Sequence, residues 1–161
     1  MLVSTRKRYL SGSDWVISTL DRMMKNATSA GNMSQVVLQL GTSLDEDEAG
    51  SALSRFVKRF PVLQGRVSRD IKLAPYWKIP AATDRKAAFT VQRVDDASAA
   101  SILPHLEKSA NTPFRDDSDH LAFHLIADGK RSVLSMRFDH RIFDARGAEL
   151  FLNLFQQNLN D

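Results

Sequence analysis

At 161 residues, 43% hydrophobic and 25% charged, the chain has the make-up of an ordinary globular domain, and residues 1–161 are expected to form a single one. The lack of cysteine excludes disulfides, thiolate nucleophiles and thiolate metal sites, and no run approaches the roughly 18 apolar residues of a membrane span. Net charge is +3, a mild bias. The dense basic run Arg6-Lys7-Arg8 lacks the aromatic interleaving of a nucleic-acid stripe and the apolar stretch of a signal peptide, so a cytoplasmic protein with no nucleic-acid partner is expected.

In chain order, residues 4–13 read as an entry segment, and Ser13 or Asp14 is placed to cap a short helix through Trp15, Ile17 and Leu20. Residues 27–32 form a loop, and residues 36–40 read as a mostly buried strand. Asp45 followed by Glu48 makes a capping box. Behind it Ala49, Ala52, Leu53, Phe56, Val57 and Phe60 fall on one helical face, until Pro61 ends the helix. Residues 62–67 lead into a strand, residues 76–79 form a short aromatic strand, and residues 89–94 alternate as a strand does. Asp95, Asp96 and Ser98 offer caps for a helix through Ile102, Leu103, Leu106 and Ala110, which either kinks at Pro104 or begins there. Two strands, 120–127 and 131–138, pair across the hairpin dipeptide Asp128-Gly129. Ala148, Phe151, Leu152, Phe155 and Leu159 mark a final amphipathic helix. This order predicts an α/β fold: a two-layer sandwich with a mixed or antiparallel sheet and helices on one face.

Between the last strand and the last helix lies Phe138-Asp139-His140-Arg141-Ile142-Phe143-Asp144. A titratable imidazole at a strand end, with a carboxylate four residues on, is a way to activate a hydroxyl, thiol or amine. The spacing occurs twice, because His124 and Asp128 also fit it. In a strand, however, residues four apart lie about 13 Å from one another, too far for contact. His120 and His124 share a strand face at that same separation, and no metal site is expected. His105 reads as a surface residue of the preceding helix. A turn between His140 and Asp144 can fold the carboxylate back toward the ring. It can equally leave His140 closing the strand and Asp144 capping the last helix, and the spacing does not choose.

The stretch from Met136 to Leu152 resembles the His-x-x-x-Asp-Gly motif of the CoA-dependent acyltransferase superfamily, with an Asp-His-Arg opening closest to the dihydrolipoamide acyltransferases. Two further stretches are similar to condensation domains and alcohol acyltransferases. These are the helix leading through Arg59-Phe60-Pro61-Val62-Leu63-Gln64-Gly65-Arg66, and Thr112-Pro113-Phe114-Arg115 ahead of the hairpin. The resemblance covers most of residues 10–160, in the family's order. It implies a chloramphenicol acetyltransferase-like lobe, here the N-terminal lobe of a two-lobed acyltransferase or condensation domain.

The resemblance also implies acyl transfer from a thioester, either acyl-CoA or a carrier protein's pantetheine, to a small hydroxyl, amine or thiol acceptor. His140 would be the general base. Asp144 would be structural, orienting the motif loop by pairing with Arg137, Arg141 or Arg146. No bound cofactor is implied, and a second lobe or a homo-oligomer would complete the site. The sequence departs from the motif at Ala145, where the family has glycine, and at Asp139, where many condensation domains have a further histidine. A non-catalytic half-domain serving as an interaction or scaffold module is the alternative, and an unrelated α/β domain a third reading.

Overall fold

A computed structural model describes residues 4–82, 86 and 88–159, with side chains to residue 157, so the Leu159 side chain falls outside it. The main sheet has the order β2-β7-β6-β5, made of β2 (Met33–Leu40), β5 (Ala88–Arg93), β6 (Leu121–Ala127) and β7 (Ser132–Asp139). β7 pairs antiparallel with both β2 and β6, whereas β5 runs parallel to β6. The hairpin turns at Asp128-Gly129, with Gly129 at φ +82°. A smaller antiparallel sheet, β1-β4-β3, comprises β1 (Thr5–Tyr9), β3 (Arg66–Arg69) and β4 (Pro75–Pro80).

Alternation along β6 and β7 divides the side chains between two faces. Leu121, Phe123, Leu125, Leu134, Met136 and Phe138 form one core with α2 (Glu46–Val57) and α4 (Ala145–Leu159). Ile126 and Val133 point the other way and pack with Ala97 and Ile102 of the segment carrying α3 (Ala99–Ala110). The expected α/β class and mixed sheet are present. The helix layer, expected on one face, is divided: α3 covers the opposite face because β6 and β7 are apolar on both sides, with Ile126 and Val133 as buried as Phe123.

Several boundaries differ from the sequence reading. Residues 5–9, read as entry, form β1, an edge strand whose side chains are all exposed and which is held by backbone pairing with β4. The first helix, α1 (Gly12–Ala27), is capped by Ser11 rather than Ser13 or Asp14. Ser11 Oγ accepts the Asp14 N–H, and the Asp14 carboxylate accepts the Ser11 N–H. Of the capping box expected at α2, the Asp45 half is present, its carboxylate taking the Glu48 N–H at 2.8 Å. Pro104 lies inside α3, which begins at Ala99.

An aromatic run ties the helices to the motif loop. Phe56 of α2 packs on Phe151 and Phe155 of α4 at ring separations of 5.0 and 5.5 Å. Phe151 meets Phe143 in the loop at 5.3 Å, and Phe143 meets Phe138 of β7 edge-on at 5.9 Å. Fully burying one such ring is worth about 1.5–3 kcal/mol, and aromatic pairs add about 0.5–1.5 kcal/mol each. The loop bearing His140 is therefore clamped at its far end.

Candidate active site

His140 is the first residue beyond β7, and its position is fixed through the backbone. Its N–H donates to Asn32 O at 3.1 Å, while the neighbouring Asp139 N–H donates to His120 O at 3.0 Å. The N–H groups of Ile142 and Phe143 return to Asp139 O, closing a tight turn. The ring is half-buried beside Phe138, with centroids 6.2 Å apart. Neither ring nitrogen has a hydrogen-bond partner among the described residues, so an acceptor proton would meet an uncommitted base.

The carboxylate that braces this loop is Asp139. Its Oδ1 accepts the Arg141 N–H at 2.9 Å, and its Oδ2 accepts the Arg141 guanidinium at 2.6 Å and His120 Nδ1 at 2.8 Å. The His120 and Asp139 side chains are 0% and 4% exposed, so water cannot share these bonds. Burial pushes the Asp139 carboxyl upward. The hydrogen bonds from His120 and Arg141, with the charges behind them, outweigh burial and hold it far below the usual carboxylate range. His120 Nε2 lies 2.7 Å from Gly65 O, which can only accept, so Nε2 donates there. Nδ1 faces the ionised carboxylate at 2.8 Å. Trp77 lies edge-on to His120 at 5.4 Å and beneath Arg141 at 6.0 Å.

Charges continue to alternate beyond Arg141. Asp21 of α1, itself buried, lies 3.7 Å from the guanidinium and 2.9 Å from Lys25. Burial disfavours the Arg141 charge, but Asp139, Asp21 and Asp117 outweigh it and raise its pKa. Asp21 also accepts the Asn32 N–H at 3.1 Å, and Asn32 O in turn receives the His140 N–H. Gly31 makes this approach possible: its φ is +67°, and a Cβ there would sit 2.7 Å from the Asp21 carboxylate.

Asp144 is exposed and caps α4, accepting the Gly147 N–H at 2.6 Å. Among the described residues it pairs with no arginine, which corrects the expected Asp144–arginine brace. Arg141 is committed to Asp139 and Asp21, and Arg137 donates to the Ser109 and Thr112 carbonyls while stacking 5.4 Å from Phe114. Ala145 opens α4, and Leu73 is the sole non-glycine residue at positive φ among those described, so alanine in place of the motif glycine brings no backbone strain.

The three similar stretches converge on the end of β7: Gly65 O through His120, Thr112 and Phe114 through Arg137, and the motif itself. His124 and Asp128 do not meet. His124 is mid-strand, where burial first, and then His105 and Arg137, lower its pKa. Asp128 organises the hairpin turn and accepts the Ala97 N–H. Among the described residues no three His, Asp or Glu side chains are grouped to hold a metal, and no helix is long and apolar enough to cross a membrane.

No family model and no curated protein matches the sequence. Solved structures do. The first condensation domain of the calcium-dependent antibiotic synthetase, in complex with a substrate analogue, superposes with TM-score 0.74 at 16% identity over 96% of this chain and 37% of that one. The chain has the fold of a condensation-domain lobe. The tallysomycin biosynthesis protein TlmII gives 0.76 at 18% identity over 96% and 38%, and the starter condensation domain of rhizomide synthetase gives 0.74 at 12% over 97% and 37%. The chain thus spans well under half the length of these solved structures. In this lobe the sequence does not reveal the loop brace, because its partners, His120 and Gly65, are distant in the chain. The Asp-His-Arg opening was the available signal: a carboxylate and a guanidinium two residues apart at a buried strand end.

Proposed function

We propose that the chain is the first lobe of an acyl-transfer site, in which His140 acts as general base. His140 takes the proton of a hydroxyl, amine or thiol acceptor as that atom attacks the carbonyl of a thioester, and the donor's thiol leaves. Acyl-CoA or a carrier protein's pantetheine supplies the thioester, and a second lobe or a symmetric copy covers the reacting centre. The observation that carries this reading is the His140 ring itself, uncommitted through either nitrogen, on a loop whose neighbours on both sides are fixed by buried charge and aromatic packing. Asp144 serves as the helix cap, so Asp139 takes the bracing part. We read the protein as cytoplasmic.

The experiment is acyl transfer from acetyl-CoA and from acetyl-pantetheine to a primary amine, followed by thiol release and by mass of the amide. Amide above the uncatalysed rate supports the proposal, and its absence with both donors opposes it. The alternative, an interaction module without turnover, is favoured by the exposed apolar residues Val16, Leu20 and Met23 along α1. A stable complex without acyl transfer would select it.

A further inference from the structure

The small sheet concentrates charge that the chain as a whole conceals. Residues 5–9 and 66–80 hold seven Lys and Arg against a single carboxylate, Asp70, a net +6 in a chain of net +3, so the remainder is net −3. Among the described residues none of the seven enters an ion pair. The register sets three of them in a row: Lys7 of β1 is paired with Lys78 of β4, and Lys78 with Arg66 of β3. Directly paired residues share a face, and like charges so placed repel. Lys7 is steadied by the Tyr76 ring, its Nζ 4.7 Å from the centroid. The fold carries this repulsion when the sheet faces water, and an anionic surface laid against it relieves it.

A second observation lies at the end of the same strands. The turn between β3 and β4, residues 70–74, presents Ile71 at 103% and Leu73 at 68% exposure, with Lys72 between them. The turn is not loose. Asp70 Oδ1 accepts the Lys72 and Ala74 N–H groups at 2.9 Å, Oδ2 accepts the Tyr9 hydroxyl at 3.1 Å, and the Leu73 N–H returns to Asp70 O. Arg69 donates to Leu73 O at 3.1 Å. Leu73 holds φ +62°, a left-handed conformation disfavoured for leucine. Two aliphatic side chains thus stand in water on a braced apex, where a turn alone would call for glycine or asparagine. The row of cations lies three residues along β4 from Pro75, about 10 Å, close to the screening length at ~0.1 M salt.

An apolar apex backed by cations fits a surface that yields and is negatively charged. A protein partner would need a cavity matched to the apex. A nucleic acid would be held by stacking on open aromatic faces, whereas Tyr76 is buried beneath Lys7, and Tyr9 is edge-on to it with its hydroxyl committed to Asp70. We propose that the small sheet docks on an anionic lipid surface, with Ile71 and Leu73 entering the interface and Lys7, Arg66, Lys72 and Lys78 against the headgroups. Apolar insertion and basic attraction together make such peripheral binding stable. The docking surface shares no residue with the His140 loop and stands apart from the acyl-transfer reading.

The test is cosedimentation of the whole chain with vesicles of phosphatidylcholine and with vesicles of an equimolar phosphatidylcholine–phosphatidylglycerol mixture, at low and high salt. Partitioning is expected onto the mixed vesicles only, and it should fall at high salt. Each basic residue beside an anionic surface contributes about fivefold, so Lys78→Gln is expected to weaken partitioning by about that factor, and Arg66→Gln/Lys78→Gln by more. Ile71→Ser/Leu73→Gly is expected to weaken it at least about tenfold. Ile71 is fully exposed and glycine suits the left-handed position, so this variant keeps the fold. Lys108→Gln, on α3, is expected to leave partitioning unchanged. Equal partitioning onto neutral vesicles, undiminished partitioning in either double variant, insensitivity to salt, or no partitioning would each overturn the proposal. Binding of a duplex oligonucleotide or of polyglutamate as tight as that of the mixed vesicles, at equal anion concentration, would also overturn it and assign the basic row to a soluble partner.

Discussion

His120 Nε2 donates to Gly65 O at 2.7 Å, across 55 residues of sequence, and its Nδ1 pairs with the Asp139 carboxylate at 2.8 Å. This one ring joins the small sheet's approach segment to the end of β7. Imidazole, carboxylate, guanidinium and carboxylate then alternate from His120 through Asp139 and Arg141 to Asp21, below the turn that carries His140. A buried charge is tolerated when paired and hydrogen-bonded, and is very costly when one partner is removed.

Asp139→Asn follows from that asymmetry. The amide fills the same volume but leaves buried Arg141 with only the longer 3.7 Å approach to Asp21, and His120 Nδ1 with no carboxylate. A loss of about 3–5 kcal/mol is expected, measured by urea unfolding. A loss below about 1 kcal/mol would mean that the network contributes nothing to the fold.

The same carboxylate sets an acid limit. Its pKa in the folded chain lies below its unfolded value of about 3.9. A group so depressed stabilises the fold fully above its unfolded pKa, and that contribution is lost as pH falls toward the folded value. Stability of the wild type should therefore drop steeply below about pH 4, and Asp139→Asn should show a shallower dependence there. Parallel curves for the two proteins would contradict the assignment.

Asp144→Ala should behave differently. Asp144 is an exposed N-cap on Gly147 N–H, so the expected cost is about 1 kcal/mol, with Asp144→Ser restoring most of it. A cost equal to that of Asp139→Asn would make Asp144 the brace instead.

Much of this frame was legible in the sequence, and the exceptions have physical causes. The α2 helix announced itself through Asp45 and a helical apolar period, and the β6–β7 hairpin through Asp128-Gly129 between two apolar runs. β1 was hidden because residues 5–9 carry no buried side chain; only pairing with β4 makes them a strand. α3 outruns Pro104 because burial of Ile102 beneath it starts the helix one turn earlier. His140 could be found from its strand-to-helix context. Its support could not, since a backbone carbonyl at Gly65 and a histidine 19 residues before Asp139 leave no local pattern.

Gly31→Ala tests how the loop is hung from α1. The residue sits at φ +67° with the Asp21 carboxylate against it. The left-handed conformation alone costs about 1–2 kcal/mol for alanine, and the contact adds to it. The variant should be destabilised by at least that much, read by thermal unfolding. It should also weaken protection of the His140 amide in hydrogen exchange, because Asn32 would shift. Unchanged His140 protection in a destabilised variant would break the proposed link from Asp21 through Asn32.

The most direct test of the central claim is the rate of amide formation from acetyl-pantetheine and a primary amine by wild type, His140→Ala and Asp144→Asn under one set of conditions. A positioned general base contributes about 10²–10⁴-fold. The account predicts a loss of that size in His140→Ala and a rate within a few-fold of wild type in Asp144→Asn. Equal rates in wild type and His140→Ala, or both at the uncatalysed level, would contradict it.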